Sequence, residues 1–322
     1  MEPITHPPNS NDSNWNESYY FIFYDKKEKI GGMSRIGFKP NKPEGMTFFF
    51  LFLPNGDVAA YHQTDEGSAY PEALRVMGMS HSPQSDDTWK YKLEGSLVVV
   101  ENSEHLPLAR KEPQYIKDLV EASIDLNLRP IHKEYEYSEH MTPESLELGK
   151  KSGDKHWEQI GKVSGTIRIE DRVIEISECM GQRDHTHGIR DWTGIGNWFY
   201  FVVWFNDNLC INPAAIVMED GRLGTGGFLF KDGENIPLVD IKLKSHDFGE
   251  NGVFPTQTTL EITDARRNTH TLIGKPGDII PVPFIDADGN ESILVQSFGE
   301  YQLDDMDGGY GSYEVLRRME KN

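Results

Sequence analysis

Cysteine is nearly absent from this chain of 322 residues: only Cys179 and Cys210 occur. That scarcity excludes a disulfide framework and a cysteine-built zinc site, leaving at most one bridge. Positive charge is scarce as well. The 32 Lys and Arg stand against 52 Asp and Glu, a net charge of −20, so the basic clusters that hold a phosphate backbone are missing and nucleic acid is excluded as a partner. Acidic runs such as Asp304-Asp305-Met306-Asp307 repel anionic lipid surfaces. Long apolar runs are also lacking. The longest, residues 47–53 and 198–205, fall far short of the roughly 20 residues that cross a bilayer, so no stable membrane insertion is expected. The opening Met1-Glu2-Pro3-Ile4-Thr5-His6-Pro7-Pro8 has no positive segment followed by an apolar core. It does not read as a secretory signal, and a cytoplasmic location is expected.

Helical periodicity is nearly missing too; residues 143–151 and 313–321 are the only short helix candidates. Strand signals fill the rest. Aromatic-rich runs at 19–24 and 46–53, partly alternating segments at 89–101 and 116–128, and a pair at 162–169 and 173–177 are read as strands. Turns such as Pro54-Asn55-Gly56-Asp57, Glu219-Asp220-Gly221, Lys231-Asp232-Gly233 and Asp286-Ala287-Asp288-Gly289 recur between them. Acidic-residue-plus-glycine turns at short spacing mark antiparallel meanders. The polar stretch 138–155 has few strand formers and is read as a linker. The expectation is an all-β protein of two sandwich or barrel domains, residues 1–145 and 156–322.

Several catalytic devices are absent. No Gly-x-Ser-x-Gly elbow occurs, and neither cysteine lies in a catalytic context. Gly224-Thr225-Gly226-Gly227 lacks the Lys-Ser/Thr of a phosphate loop and reads as a strand bend. What is present is a dense segment, Gly181-Gln182-Arg183-Asp184-His185-Thr186-His187-Gly188-Ile189-Arg190-Asp191-Trp192. It lies between the strand-like 173–177 and the aromatic run 198–205. Charged groups flanked this closely by apolar strands are partly desolvated, and desolvation shifts the pKa values of carboxylates and imidazoles toward catalytic use. The plain alternative is that each arginine neutralises an aspartate at a bend.

His185 and His187 share one strand face because side chains alternate with period two. With Asp191 they match the order of a cupin-type metal site, but no histidine follows Pro281 to complete the ligand set. Three well-placed N or O ligands are needed, so no metal is expected. Acid–base work remains. A carboxyl kept protonated in a dry pocket can deliver a proton to an unactivated substrate. The expected catalytic residues are Asp184 as the acid, Asp191 held by an arginine, and His185 and His187 relaying the proton or placing water. All four are expected to face one cavity lined by aromatic rings, which attract developing positive charge.

Several motifs then coincide. His156-Trp157-Glu158-Gln159, Gly165-Thr166-Ile167 and Gly181-Gln182-Arg183-Asp184-His185 with Gly188-x-Arg190-Asp191-Trp192 resemble the signature of the carotenoid 1,2-hydratase-like superfamily, which includes lipocalin-like Diels–Alderases. Asn16-Glu17-Ser18-Tyr19-Tyr20-Phe21, Gly32-x-x-x-Arg35-Ile36-Gly37 and Gly309-Tyr310-Gly311-Ser312-Tyr313-Glu314 carry the likeness toward both ends. The branch it resembles most usually reads Ser-Trp-Gly after Arg-Asp-His; here Thr186-His187-Gly188 puts a histidine in place of the tryptophan. The resemblance implies two lipocalin-like (calycin-type) β domains and a hydrophobic, isoprenoid-like alkene as small-molecule partner. It also implies hydration or cyclisation without a cofactor. Arg183, Arg190, Trp192, Glu158, Gln159, Trp198, Tyr200 and Trp204 are the expected substrate contacts. A lipophile carrier without catalysis is the competing class, and a metal-dependent oxygenase a more distant one. One fold hosts many activities, so the activity needs its own evidence.

Overall fold

A computed structural model describes residues 4–66, 74–150, 152–194, 196–218, 220–250 and 252–319. The strands follow the chain as β1 (Trp15–Asp25), β2 (Ile30–Lys39), β3 (Glu44–Phe52), β4 (Val58–Glu66), β5 (Arg75–Val76), β6 (Met79–Pro83), β7 (Trp89–Val100) and β8 (Asp118–Pro130). Then come β9 (Tyr135–Glu136), β10 (Lys155–Ile169), β11 (Arg172–Ile189), β12 (Asn197–Asn206), β13 (Leu209–Val217), β14 (Leu223–Lys231) and β15 (Glu234–Phe248). The last four are β16 (Pro255–Asp264), β17 (Thr269–Ile285), β18 (Glu291–Leu303) and β19 (Met306–Arg318). Among the described residues two short α-helices, α1 (Leu106–Ala109) and α2 (Pro143–Gly149), interrupt them. The all-β expectation holds. Residues 313–321, a helix candidate in the sequence, instead begin within β19. Tyr313 and Val315 alternate into a core there, and the strand pairs with β12 and β18 on its two sides.

The chain divides into two compact units: Met1–Glu134 with Gly153–Arg190, and Tyr135–Ser152 with Asp191–Asn322. This differs from the linear split at 145 and 156. Strands β10 and β11 belong to the first unit because β11 pairs with β1 from Trp15↔Ile189 to Tyr24↔Met180. Backbone donors along β1 would otherwise go unpaired, and that need outweighs proximity in sequence. The expected linker around 138–155 is no free spacer either. Thr142 caps α2 by accepting from Ser145 N, and the Tyr137 hydroxyl donates to Asn212 within the second unit.

In the first unit the antiparallel order is β4-β3-β2-β1-β11-β10-β8-β7-β6-β5, and β4 also pairs with β7, which brings the ends of the sheet together. Tyr19, Phe21, Phe23, Tyr91, Leu93, Leu126 and Leu128 fill its interior. The second unit is a closed barrel, β12 through β19 in sequence order, around Phe199, Phe201, Ile211, Leu260, Val295 and Tyr313. Among the described residues no helix is long and apolar enough to cross a membrane.

One irregularity sets the geometry of the site. Cys179 pairs with Val163 and Ile176 with Gly165, so Ser177 and Glu178 together stand opposite Ser164. The extra residue is a β-bulge, with Glu178 at φ 55° and its N–H donating to Ser164 Oγ at 3.1 Å. Before it, the even-numbered Ile174 and Ile176 face the core. After it, the odd-numbered Cys179 does.

Candidate functional site

Side-chain alternation divides the dense segment between two faces of the sheet. Past the bulge, Arg183, His185 and His187 share the core-side parity of Cys179, while Gln182, Asp184 and Thr186 take the other. The neighbouring strands follow the same rule. Tyr19 on β1, His185 on β11 and Trp157 on β10 stand in one row across the sheet, and Glu17 is paired with His187. The expected common cavity for Asp184 with His185 and His187 is therefore not formed.

The core-side face gathers a carboxylate and three imidazoles. Glu17, fully buried, shares Oε1 with His185 Nε2 at 2.8 Å and with His6 Nδ1 at 2.6 Å, while its Oε2 accepts from the His6 backbone N–H at 2.9 Å. Aromatic rings enclose the group. His185 lies between Tyr19 and Trp157, with ring centroids 4.4 and 5.0 Å away. His6 stacks on His187 at 4.2 Å, and Trp15 lies 6.0 Å from His187. The segment carrying His6 is held in place: Tyr19 donates its hydroxyl proton to Ile4 O, and Trp15 Nε1 donates to Asn9 Oδ1 at 3.0 Å.

Burial would raise the Glu17 pKa, but the hydrogen bonds from His185 and His6 outweigh it and hold the carboxyl below its ordinary value. Burial lowers the His185 pKa, opposed by Glu17. His187 is pushed down to about 4, by burial first and by His6 second, and its buried Nδ1 has no hydrogen-bond partner among the described residues. At neutral pH the group is thus an ionised glutamate orienting a neutral imidazole. With Nε2–H given to Glu17, the basic nitrogen of His185 is Nδ1.

The opposite face holds a second trio. Glu158 Oε1 meets His156 Nε2 at 2.7 Å, Gln182 Nε2 donates to Glu158 Oε2, and Asp184 Oδ2 lies 3.7 Å from His156 Nε2. Burial disfavours a charged His156, yet the nearby Asp184 carboxylate and the hydrogen bond to Glu158 prevail and raise its pKa to about 9. This arrangement is a partly buried imidazolium held by carboxylates. Asp184, expected to be the free acid, belongs to it.

The remaining expectations are distributed as follows. Arg183 reaches Gln159 Oε1 at 2.8 Å and Glu134, with its guanidinium 4.4 Å from the Trp89 ring centroid. Arg190 donates its backbone N–H to Asn14 O at 3.1 Å. Asp191 lies in the second unit, where its Oδ1 closes a turn by accepting from Gly194 N at 2.8 Å. Trp192 stacks on Phe284 at 4.5 Å and lies 5.2 Å from Trp198, whose Nε1 donates to Glu314. Trp198, Tyr200 and Trp204 are buried, with the parity opposite to the core residues Phe199 and Phe201. Reading the sequence alone missed Glu17, His6, Trp15 and Tyr19 as site members. The available signal was a lone glutamate in the otherwise uncharged, aromatic-rich Trp15-Asn16-Glu17-Ser18-Tyr19.

Either trio offers three metal-type donors within 4.8 Å of one another: His6, Glu17 and His185, or His156, Glu158 and Asp184. In both, the closest donors are already at hydrogen-bonding distance.

Solved structures share this architecture at low sequence identity. An AttH candidate from Nitrosomonas europaea superposes with a TM-score of 0.65 at 10% identity, covering 97% of this chain and 95% of that one. CghA gives 0.57 at 8%, covering 99% and 94%. Kievitone hydratase from Nectria haematococca gives 0.55 at 11%, covering 96% and 90%. These likenesses establish a shared lipocalin-like fold. No curated protein matches the sequence. The model of a family described as a domain of unknown function, DUF7064, matches residues 3–319, and the chain therefore belongs to the DUF7064 family.

Proposed function

We propose that this protein is a cofactor-independent enzyme that hydrates or cyclises a hydrophobic, isoprenoid-like alkene, with His185 moving the proton and Glu17 orienting it. The observation that carries the reading is the buried Glu17–His185 hydrogen bond inside a nest of ring faces. Tyr19 and Trp157 cover both faces of the imidazole, so proton exchange is confined to the ring edge. A lowered pKa makes the His185 imidazolium, once formed, a stronger acid than a free one. In hydration it would give its proton to one alkene carbon, and water would add to the cation left on the other. The proton lost by that water would return to the imidazole, leaving atoms and charge balanced. In cyclisation an internal alkene would take the place of water. The aromatic rings favour a cation before it meets solvent. Kievitone hydratase, by its name a hydratase, shares the fold and makes the reading consistent with the scaffold.

The test is turnover of a panel of isoprenoid alkenes, read by mass spectrometry as gain of one water or as an isomer of unchanged mass. Glu17→Gln and His185→Asn should keep ligand binding and lose about a hundredfold or more in turnover. Asp184→Asn should retain most of it. Saturable binding by the parent chain without product would favour the carrier class, and loss of turnover in Asp184→Asn alone would move the chemistry to the other face.

A further inference from the structure

The second unit has a cup in its barrel that the proposed reaction does not use. Its volume is about 230 Å³, and its walls include Phe199 of β12, Leu243, His246 and Phe248 of β15, and Val315 and Arg317 of β19. The sequence places these side chains together through another register shift, between Leu243 and Ser245. Ile241 and Leu243 face the core on odd numbers. After the shift, the even-numbered His246 and Phe248 line the cup.

Three polar facts distinguish the cup from an ordinary gap in packing. Arg317, half-buried, donates Nη1 to the carbonyls of Gly252 and Val253 at 2.6 and 2.8 Å, and its guanidinium lies 4.0 Å from the Phe248 ring centroid. These contacts fix its direction, and among the described residues no carboxylate forms an ion pair with it. In a chain of net charge −20 such a cation is unusual. His246 stacks on Phe248 at 4.5 Å and 11°, and its buried Nε2 has no hydrogen-bond partner among the described residues. Burial and the adjacent Arg317 push its pKa down to about 4, with the exposed Asp247 opposing. The ring is therefore neutral at physiological pH and can offer Nε2–H. A buried polar atom without a hydrogen-bond partner is destabilising, and that cost is removed when a ligand supplies the partner.

We propose that this cup binds a small monocarboxylate with an apolar or aromatic body, its carboxylate accepting from Arg317 and His246 and its body lying against Phe199, Leu243 and Val315. The volume is below the roughly 300–1,000 Å³ of drug-sized sites and limits the body to one ring or a short chain. The planar fork of arginine suits a carboxylate better than a single hydroxyl does. Nothing in this inference depends on the Glu17 site, so the two stand or fall separately.

The experiment is titration of the full chain with phenylacetate, phenylacetamide and phenethylamine, followed by calorimetry and ligand-observed NMR. Phenylacetate should bind saturably, and the neutral amide and the cationic amine about tenfold more weakly or worse. In Arg317→Gln the acid should lose about tenfold or more while the amide is unchanged, and His246→Phe should weaken the acid severalfold while keeping the stack on Phe248. The three ligands compared on the unmodified chain already decide the matter, whether or not a variant folds. Equal binding of acid and amide, or no saturable binding of the acid, overturns the proposal.

Discussion

The partly buried imidazolium at His156 should make stability depend on pH in a way that one substitution removes. Its pKa is raised from 6.5 to about 9 because Glu158 and Asp184 stabilise the charged form against burial. A group whose pKa rises on folding contributes stability that is complete below its unfolded value and is lost as pH climbs through the folded one. The window is therefore from about 6.5 to about 9. A shift of that size corresponds to about 3 kcal/mol at most, at 1.36 kcal/mol per unit. The side chain is 26% exposed and Glu158 fully buried, so solvent screening does little to reduce it. His156→Gln keeps a hydrogen-bonding side chain of similar reach and removes the titration. Urea unfolding of parent and variant at about pH 6, 7.5 and 9.5 gives the difference in unfolding free energy, with other titrating groups cancelling between the two. That difference should be largest near pH 6 and shrink by about 3 kcal/mol across the window, with a mid-window slope of about 1.4 kcal/mol per pH unit. A difference that stays constant with pH would mean that His156 is not charged in the folded protein, and the account of the second trio would fail.

Two further outcomes follow from the same geometry. Gly165→Ala should cost about 2–3 kcal/mol or more and lower the melting temperature, because φ is +146° and an added Cβ would lie 2.1 Å from the Asp125 carbonyl oxygen; an unchanged melting curve would refute the close approach. The purified protein should contain no stoichiometric transition metal, and chelator should leave its melting temperature unchanged. Donors around zinc at 2.0–2.1 Å stand about 3.3 Å apart, whereas those around Glu17 are at 2.6 and 2.8 Å, so metal at unit ratio by elemental analysis would contradict the proton-sharing account.

The sequence made the strands and many of their turns legible because those signals are local. Lys231-Asp232-Gly233 forms the β14–β15 hairpin with Asp232 at φ 51° and Gly233 at φ 88°, the two positive values that such a turn demands. Pro54-Asn55-Gly56-Asp57 likewise joins β3 to β4. Partnership between distant strands carries no local signal. The long pairing of β1 with β11 assigned residues 155–190 to the first unit, against their position in the chain. The candidate site was half legible for the same reason. Period-two alternation alone puts His185 and His187 on one face. Glu17 and His6, far away in sequence, reach them only through that long pairing and the path of the N-terminal segment. Asp184, next to His185 in sequence, lies on the opposite face, because adjacency along a strand is not adjacency in space.

The bulge at Ser177 and Glu178 gives this strand something akin to a reading frame. Downstream of it, two sets of chemistry are interleaved letter by letter: Arg183, His185 and His187 in one set, Gln182, Asp184 and Thr186 in the other. By absorbing one residue, the bulge keeps the first set read inward. Were the residue kept but paired regularly, Glu178 would stand opposite Val163 and the strand would present Asp184 to the interior and turn His185 outward, without altering a single functional side chain. Deleting that residue would merely straighten the ladder with Arg183, His185 and His187 still inward, whereas a residue gained or lost without a matching bulge would exchange an imidazole-centred interior for a carboxylate-centred one, so the bulge is as informative about chemistry as the motif that follows it.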